Sequence, residues 1–244
     1  VGKRVFFYSQ DGFFEIDGEN IKSIGQHKVN DYFKDNLSAG YQQNIIAASD
    51  PLNHLVIWSY PSTDATTGVQ DRLLIYNYSV NRWSVVELAS EFIFTQWSEA
   101  YTVDTLDNVA SSLDDLTVSL DSRYWLGGVV NFSGFDGDHK LIQYDGDNLA
   151  ATLETGEIEP SPGRRSTITM IRPLVDGTST ARVSSRSRIA DSATSTSYSS
   201  LQTNGDIPVR SSGRYHKIGV LIAAAASWND AQGVDLTAIS AGNR

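Results

Sequence analysis

Cysteine is absent from the 244 residues and methionine occurs once. Disulfides and thiolate metal sites are therefore excluded outright. Long apolar runs are missing too: none reaches the roughly 18 to 20 residues that span a bilayer. The opening Val1-Gly2-Lys3-Arg4-Val5-Phe6-Phe7 lacks the long apolar centre of a secretory signal. A soluble protein without membrane insertion is expected. There is no initiating Met, and the first residues already read as a strand, so Val1 is expected not to be the natural start. The catalytic and cofactor motifs are equally scarce. The chain has no GxGxxG or GxxxxGK[ST] phosphate loop, no HExxH pair and no GxSxG elbow. No cofactor site is expected, and the chain is read as a non-enzyme.

Helical periodicity is nearly absent as well, and what replaces it defines the fold class. Short runs of Val, Ile, Leu, Tyr, Phe or Trp alternate with Asp/Asn/Gly turns, which is an all-β signature. Phe13–Ile16 leads through Asp17-Gly18-Glu19-Asn20 to Ile21, and Leu73–Tyr76 leads through Asn77–Asn81 to Arg82–Val86. Leu141–Tyr144 leads through Asp145-Gly146-Asp147-Asn148 to Leu149. These read as one hairpin unit used three times, because Asp-Gly and Asn accept the positive φ of a tight turn. Asn44–Ser49 and His54–Tyr60, joined at Asp50-Pro51-Leu52-Asn53, form a further hairpin. Four strands per unit is what a β-propeller blade supplies. The units recur at 61 and 67 residues, longer than the roughly 40 to 50 of common blades.

Residues 98–122 break the pattern with Asp104, Asp107, Asp114, Asp115 and Asp121. Leu106, Val109, Leu113 and Leu116 allow a short amphipathic helix there, expected as the only one in the chain. After residue 158 the composition turns to Ser, Thr and Arg, and the charge changes sign. Residues 1–160 carry nine Lys and Arg against 24 Asp and Glu, a net of −15, whereas 161–244 carry ten against five, a net of +5. The expected division is therefore 1–158, propeller-like blades with the acidic connecting segment, and 159–244, an Arg/Ser/Thr-rich, sandwich-like β domain. Ile218, Val220 and Ile222, then Val234, Leu236 and Ala238, alternate as the two strands of a hairpin with one buried face.

His27, His54, His139 and His216 are isolated from one another and read as strand or turn residues. Asp136-Gly137-Asp138 and the Asp145 turn resemble hard-cation loops but do not continue to a terminal Glu, so turn chemistry explains both. The acidic segment offers paired carboxylates of the kind glycosidases use. A propeller-type glycan-binding protein or glycosidase acting on a cell surface is thus the alternative reading, through Asp104, Asp107, Asp114 and Asp115. The remaining polar constellation is basic: Arg164, Arg165, Arg172, Arg182, Arg186, Arg188, Arg210, Arg214 and Lys217. On a strand over 181–189 the period of two puts Arg182, Ser184, Arg186 and Arg188 on one face, with Val183 and Ile189 opposite. Arg182, Arg186 and Arg188, with Arg164 and Arg165, are the candidate contacts to phosphates or to the acidic half of another copy. A solvated edge strand is the plain alternative.

Several segments, in order along nearly the whole chain, carry a resemblance. They are Tyr8–Gly18, Arg72–Tyr78 with Asn81-Arg82-Trp83-Ser84, Ser119–Arg123 with Gly127-Gly128, and Leu153–Glu157. Pro162-Gly163-Arg164-Arg165, Arg172–Gly177, Gly213–His216 and Ala231–Val234 complete the set. Together they resemble the β-propeller tail-hub, nozzle or packaged-DNA-stabilising proteins of short-tailed and related bacteriophages. The resemblance implies a structural tail component, assembled in the host cytoplasm and resident in the virion. It would stand with copies of itself and other tail proteins in a ring around the channel, where the genome is held and released. Any DNA contact would be independent of sequence. No catalytic residues come with it, and its members usually extend further at the N-terminus.

Overall fold

The computed structural model describes residues 1–65, 67–97, 130–144 and 146–241, with isolated residues between 101 and 125. It is an all-β fold, 52% strand and 8% helix, built of antiparallel sheets. Two compact units divide at Asp145/Gly146, earlier than the expected 158/159 boundary. The reason is that Ala151–Glu154 is itself a strand of the second unit's sheet, so the acidic residues before the charge reversal belong to the basic half.

In the first unit, β1 (Arg4–Ser9), β2 (Gly12–Asp17) and β3 (Asn20–Ser23) form one sheet, and β4 (Ile46–Asp50), β5 (Leu55–Tyr60), β6 (Arg72–Asn77) and β7 (Arg82–Glu87) a second. The third contains β8 (Phe92–Trp97), β9 (Val130–Phe135) and β10 (Leu141–Gln143) in the order β10-β9-β8. The hairpins expected at 17–20, 50–53 and 77–81 are present. The Asp50 carboxylate accepts the N–H groups of Leu52 and Asn53, and Asn77 Oδ1 accepts those of Ser79 and Val80. His27, His54 and His139 all have positive φ, which places them at turn positions.

The third expected unit is corrected. Leu141–Gln143 pairs backward onto β9, and the turn is made at Asp136, whose Oδ1 accepts the N–H of Asp138 and of Lys140. Leu149 lies outside any strand. Turn residues stood on both sides of the Leu141 run, and pairing chose the earlier set. The helix is corrected too. α1 spans Asn30–Asn36, where Val29, Phe33 and Leu37 recur every fourth residue and enter the core. The leucines expected to make a helix at 106–116 lie outside the described residues.

Alternation along β5 and β6 decides the packing. Val56, Trp58, Tyr60, Leu74 and Tyr76 point to one core, with Phe13 and Phe33; Ile57 and Leu73 point to another, with Ile93. The four-stranded sheet is therefore covered on both faces, by the β1–β3 sheet with α1 and by the β8–β10 sheet. That burial explains its near-continuous apolar runs. Among the described residues this stack does not close into a barrel or propeller. Phe13 is its hub: its ring centroid lies 4.8 to 5.1 Å from those of Tyr8, Phe33, Trp58 and Trp83. The strand reaches this depth because Gly12 and Gly25 have no Cβ, which would meet the Asn30 side chain at 2.1 and 2.0 Å. Asn30 in turn accepts the Phe13 N–H and donates to the Asp11 carbonyl.

The second unit is a two-sheet sandwich. β11 (Ala151–Glu154), β13 (Ser179–Arg186), β14 (Thr194–Ser195), β15 (Ser199–Ser200) and β17 (Tyr215–Ile222) make one sheet; β12 (Arg165–Val175), β16 (Ile207–Gly213) and β18 (Ala231–Ala241) make the other. Ile168, Ile171 and Ile207 from one sheet meet Ala181, Val183, Ile218 and Val220 from the other. The expected hairpin of 218–222 with 234–238 is corrected. Both strands bury the expected faces in the same core, but β17 pairs with β13 and β11 while β18 pairs with β12. Their connection crosses between sheets, which alternation alone cannot distinguish from a hairpin.

Truncating the hub measures how far the first unit depends on it. Phe13→Ala is expected to cost about 3–5 kcal/mol, the usual range for emptying a buried aromatic site. Denaturant unfolding followed by tryptophan fluorescence reads this, and a loss below about 1 kcal/mol would show that the neighbouring rings pack without it.

Candidate functional site

β13 has the strict alternation that the sequence suggested. Ala181, Val183 and Ser185 are buried, and Arg182, Ser184 and Arg186 lie on the outer face. The strand ends at Arg186, so Arg188 is outside the row; it is exposed in the following turn, where its backbone N–H donates to Asp191. Arg164 closes a turn by donating its N–H to the Ser161 carbonyl, and Arg165 begins β12.

The row is matched by carboxylates of its own unit. Arg182 and Glu154 both stand opposite Gly219 of β17, one on each side. With no side chain between them, Arg182 reaches Glu154 at 3.2 Å. Lys217 pairs with the same carboxylate, Arg186 with Glu157, and Arg214 with Glu159 at 2.5 Å. The Arg182 guanidinium also lies 4.9 Å from the Tyr198 ring centroid. The Lys217 hydrogen bond first, and Arg182 after it, hold the Glu154 carboxyl below the usual carboxylate range. Arg214 and the Gly163 N–H do the same for Glu159. The charge reversal in the sequence is thus folded into a ladder inside one unit. Arg182 and Arg186 are ladder members, whereas the guanidinium groups of Arg164, Arg165 and Arg188 have no acidic partner among the described residues.

A groove of about 490 Å³ opens between β16 and the β13–β14 edge. It brings together Arg165, Arg186 and Arg210, with Asp191 as its one carboxylate among the described residues; the other lining side chains are all Ser and Thr. Arg210 belongs to the basic constellation but not to the candidate contact set. Sequence reasoning missed its role because it is on a different sheet from Arg186, and only the sandwich brings them together. Arg164, Arg182 and Arg188 do not line the groove.

Beneath the groove wall lies a buried polar chain. His216 is 0% exposed; its Nδ1 is 2.7 Å from Ser185 Oγ and its Nε2 2.9 Å from Ser166 Oγ, and Ser185 Oγ is 2.6 Å from Ser211 Oγ. His216 and Ser185 come from the five-stranded sheet, Ser166 and Ser211 from the three-stranded one, so the chain ties the two sheets together. Both ring nitrogens face hydroxyls and none faces a carboxylate, which is the arrangement of a structural clamp rather than an oriented base. Desolvation holds the imidazole neutral by lowering its pKa from the ordinary 6.5.

Among the described residues no group of three or more Asp, Glu or His is placed to hold a metal. Asp104, Asp107 and Asp114 of the glycosidase alternative lie outside the described residues. Asp115 donates its backbone N–H to the Ser112 carbonyl. The sequence matches no family model, and no curated protein matches it.

Neutral, buried His216 makes stability depend on pH with a definite sign. The unfolded histidine takes up a proton near its ordinary 6.5 and the folded one only at lower pH. Stability is therefore full above the unfolded value and falls as pH drops through it, by at most about 1.4 kcal/mol per pH unit. Glu154 and Glu159, with depressed values, add their losses only below the ordinary 4.5. Denaturant unfolding of the full chain between about pH 7 and pH 5 is expected to show this slope, and His216→Gln to flatten it. An unchanged slope in the variant would assign it elsewhere.

Proposed function

We propose that the chain is a structural, non-catalytic component of a bacteriophage tail, of the hub or nozzle kind, working as one of several copies in a ring around the DNA channel. The ordered segments from Tyr8–Gly18 to Ala231–Val234 support this reading by their resemblance to such proteins. So does the antiparallel all-β architecture, in which the first unit packs sheets of three and four strands against one another.

The observation that carries the proposal is the outward face of the β8–β10 sheet. Phe92, Phe135 and Leu141 stand opposite one another across the three strands. They are 48%, 38% and 54% exposed. The sheet's other face contributes Ile93 to a buried core, just as the β4–β7 sheet is buried on both sides. An exposed apolar row across a sheet whose other face is buried is a surface suited to cover by another sheet. In a ring that sheet belongs to the next copy or to a neighbouring tail protein, and the interface is heterologous. Arg182 and Arg186 are matched within the chain, so assembly rests on apolar contact more than on exchange of charge between copies.

Replacing Phe92 and Leu141 together with Ser is expected to lower incorporation into particles at least tenfold, because two large side chains leave the interface centre. The isolated protein should keep its unfolding midpoint. Electron microscopy of particles reads the outcome: several copies around the tail axis in the parent and tails lacking them in the variant. Normal tails in the variant, or a single axial copy in the parent, would overturn the proposal.

A further inference from the structure

The groove on the second unit has a composition that neither the charge ladder nor the tail reading uses. Three guanidinium groups line it, that of Arg186 paired with Glu157 outside the lining, and among the described lining residues Asp191 supplies the one carboxylate, which accepts the Arg188 backbone N–H. Arg186 is pre-oriented: its guanidinium bonds Glu157 and the Ile189 carbonyl, while its buried Nε–H has no acceptor among the described residues. Arg165 and Arg210 are exposed and have no acidic side-chain partner among the described residues, so their donors face the groove or water. Between these cations the wall consists of hydroxyls. Several are already fixed in orientation, Ser211 and Ser185 by the His216 chain and Ser212 by Thr167 at 2.6 Å.

Planar donor forks surrounded by hydroxyl donors suit an anion with several oxygens pointing in different directions. A carboxylate offers two oxygens in one plane and engages one fork. A tetrahedral phosphate group engages two forks and a hydroxyl at once. Among the described residues no aromatic side chain lines the groove, so they offer no platform on which to stack a base or a sugar ring. Recognition would fall on the phosphate itself.

We propose that the groove formed by Arg165, Arg186 and Arg210 is a binding site for phosphate groups. This inference does not depend on the tail reading, since it rests on the second unit alone. The phosphate has two chemical sources, a free phosphate or phosphomonoester and the phosphodiester backbone of a nucleic-acid strand. A groove open to solvent admits both.

The test is calorimetric titration of the full chain at low salt with two probes, inorganic phosphate and a single-stranded oligothymidylate, repeated on Arg165→Gln/Arg210→Gln. Neither arginine holds an ion pair among the described residues, so the double variant should keep the parent's unfolding midpoint. At least tenfold loss of affinity is expected for any probe that binds. Arg182→Gln, on the same sheet but outside the groove, should bind as the parent does. A strand that binds at least tenfold tighter than phosphate, with log affinity falling by about 0.7 per contact for each unit of log salt, identifies the nucleic-acid backbone as the source. Phosphate binding as tightly as the strand identifies the small anion. Absence of binding by both probes, binding that the double variant leaves unchanged, or equal binding of oligoglutamate would overturn the assignment.

Discussion

Burial of a single four-stranded sheet on both of its faces is the constraint on which the first unit depends. A sheet covered on one side needs only alternating apolar residues. The β4–β7 sheet needs large apolar side chains at consecutive positions, and it has them at Val56-Ile57-Trp58 and Leu73-Leu74-Ile75-Tyr76. Each residue is assigned to a face by the pleat, so two cores form from one set of strands. The neighbouring sheets are then placed by what they must cover. Phe13 is positioned to meet Trp58 and Trp83 only because Gly12 and Gly25 let Asn30 approach the chain, which links the hairpin turn to the packing beneath it.

The second unit solves a different problem, how to carry ten basic residues on a small sandwich. Its answer is local neutralisation. Glu154, Glu157 and Glu159 arrive from the strand and connection that precede β12, and they reach Arg182, Lys217, Arg186 and Arg214 across the sheet surface. Pairs of this kind, partly exposed, contribute little to stability individually. Their effect is on where positive charge remains: away from the outer face of the sheet, and in the groove.

The fold class and most hairpins were legible in the sequence because turn chemistry is local. Asp50, Asn77 and Asp136 each accept backbone N–H groups two to four residues ahead, and such residues declare themselves in any short window. Pairing between distant strands was not legible. The alternation of β17 and β18 describes a buried face equally well for a hairpin and for opposing sheets of a sandwich. For the same reason Arg165, Arg186 and Arg210 could be listed as basic residues but not recognised as neighbours. The short helix at Asn30–Asn36 was hidden by its length, since two turns offer only Val29, Phe33 and Leu37 as a repeat.

The Ser166–His216–Ser185 chain has a consequence for how the sandwich finds its pairing. A strand slipped by one residue still forms a ladder, but every side chain changes sides. In β17 such a slip would bring Lys217 into the apolar interior and carry His216 away from both of its hydroxyl partners. An offset of two keeps the same face inward, and an all-apolar seam between two sheets rich in Ser, Thr and branched residues would discriminate against it only weakly. One polar residue with two obligatory partners, contributed by strands of both sheets, allows a single offset. The histidine thus acts as a key for strand register.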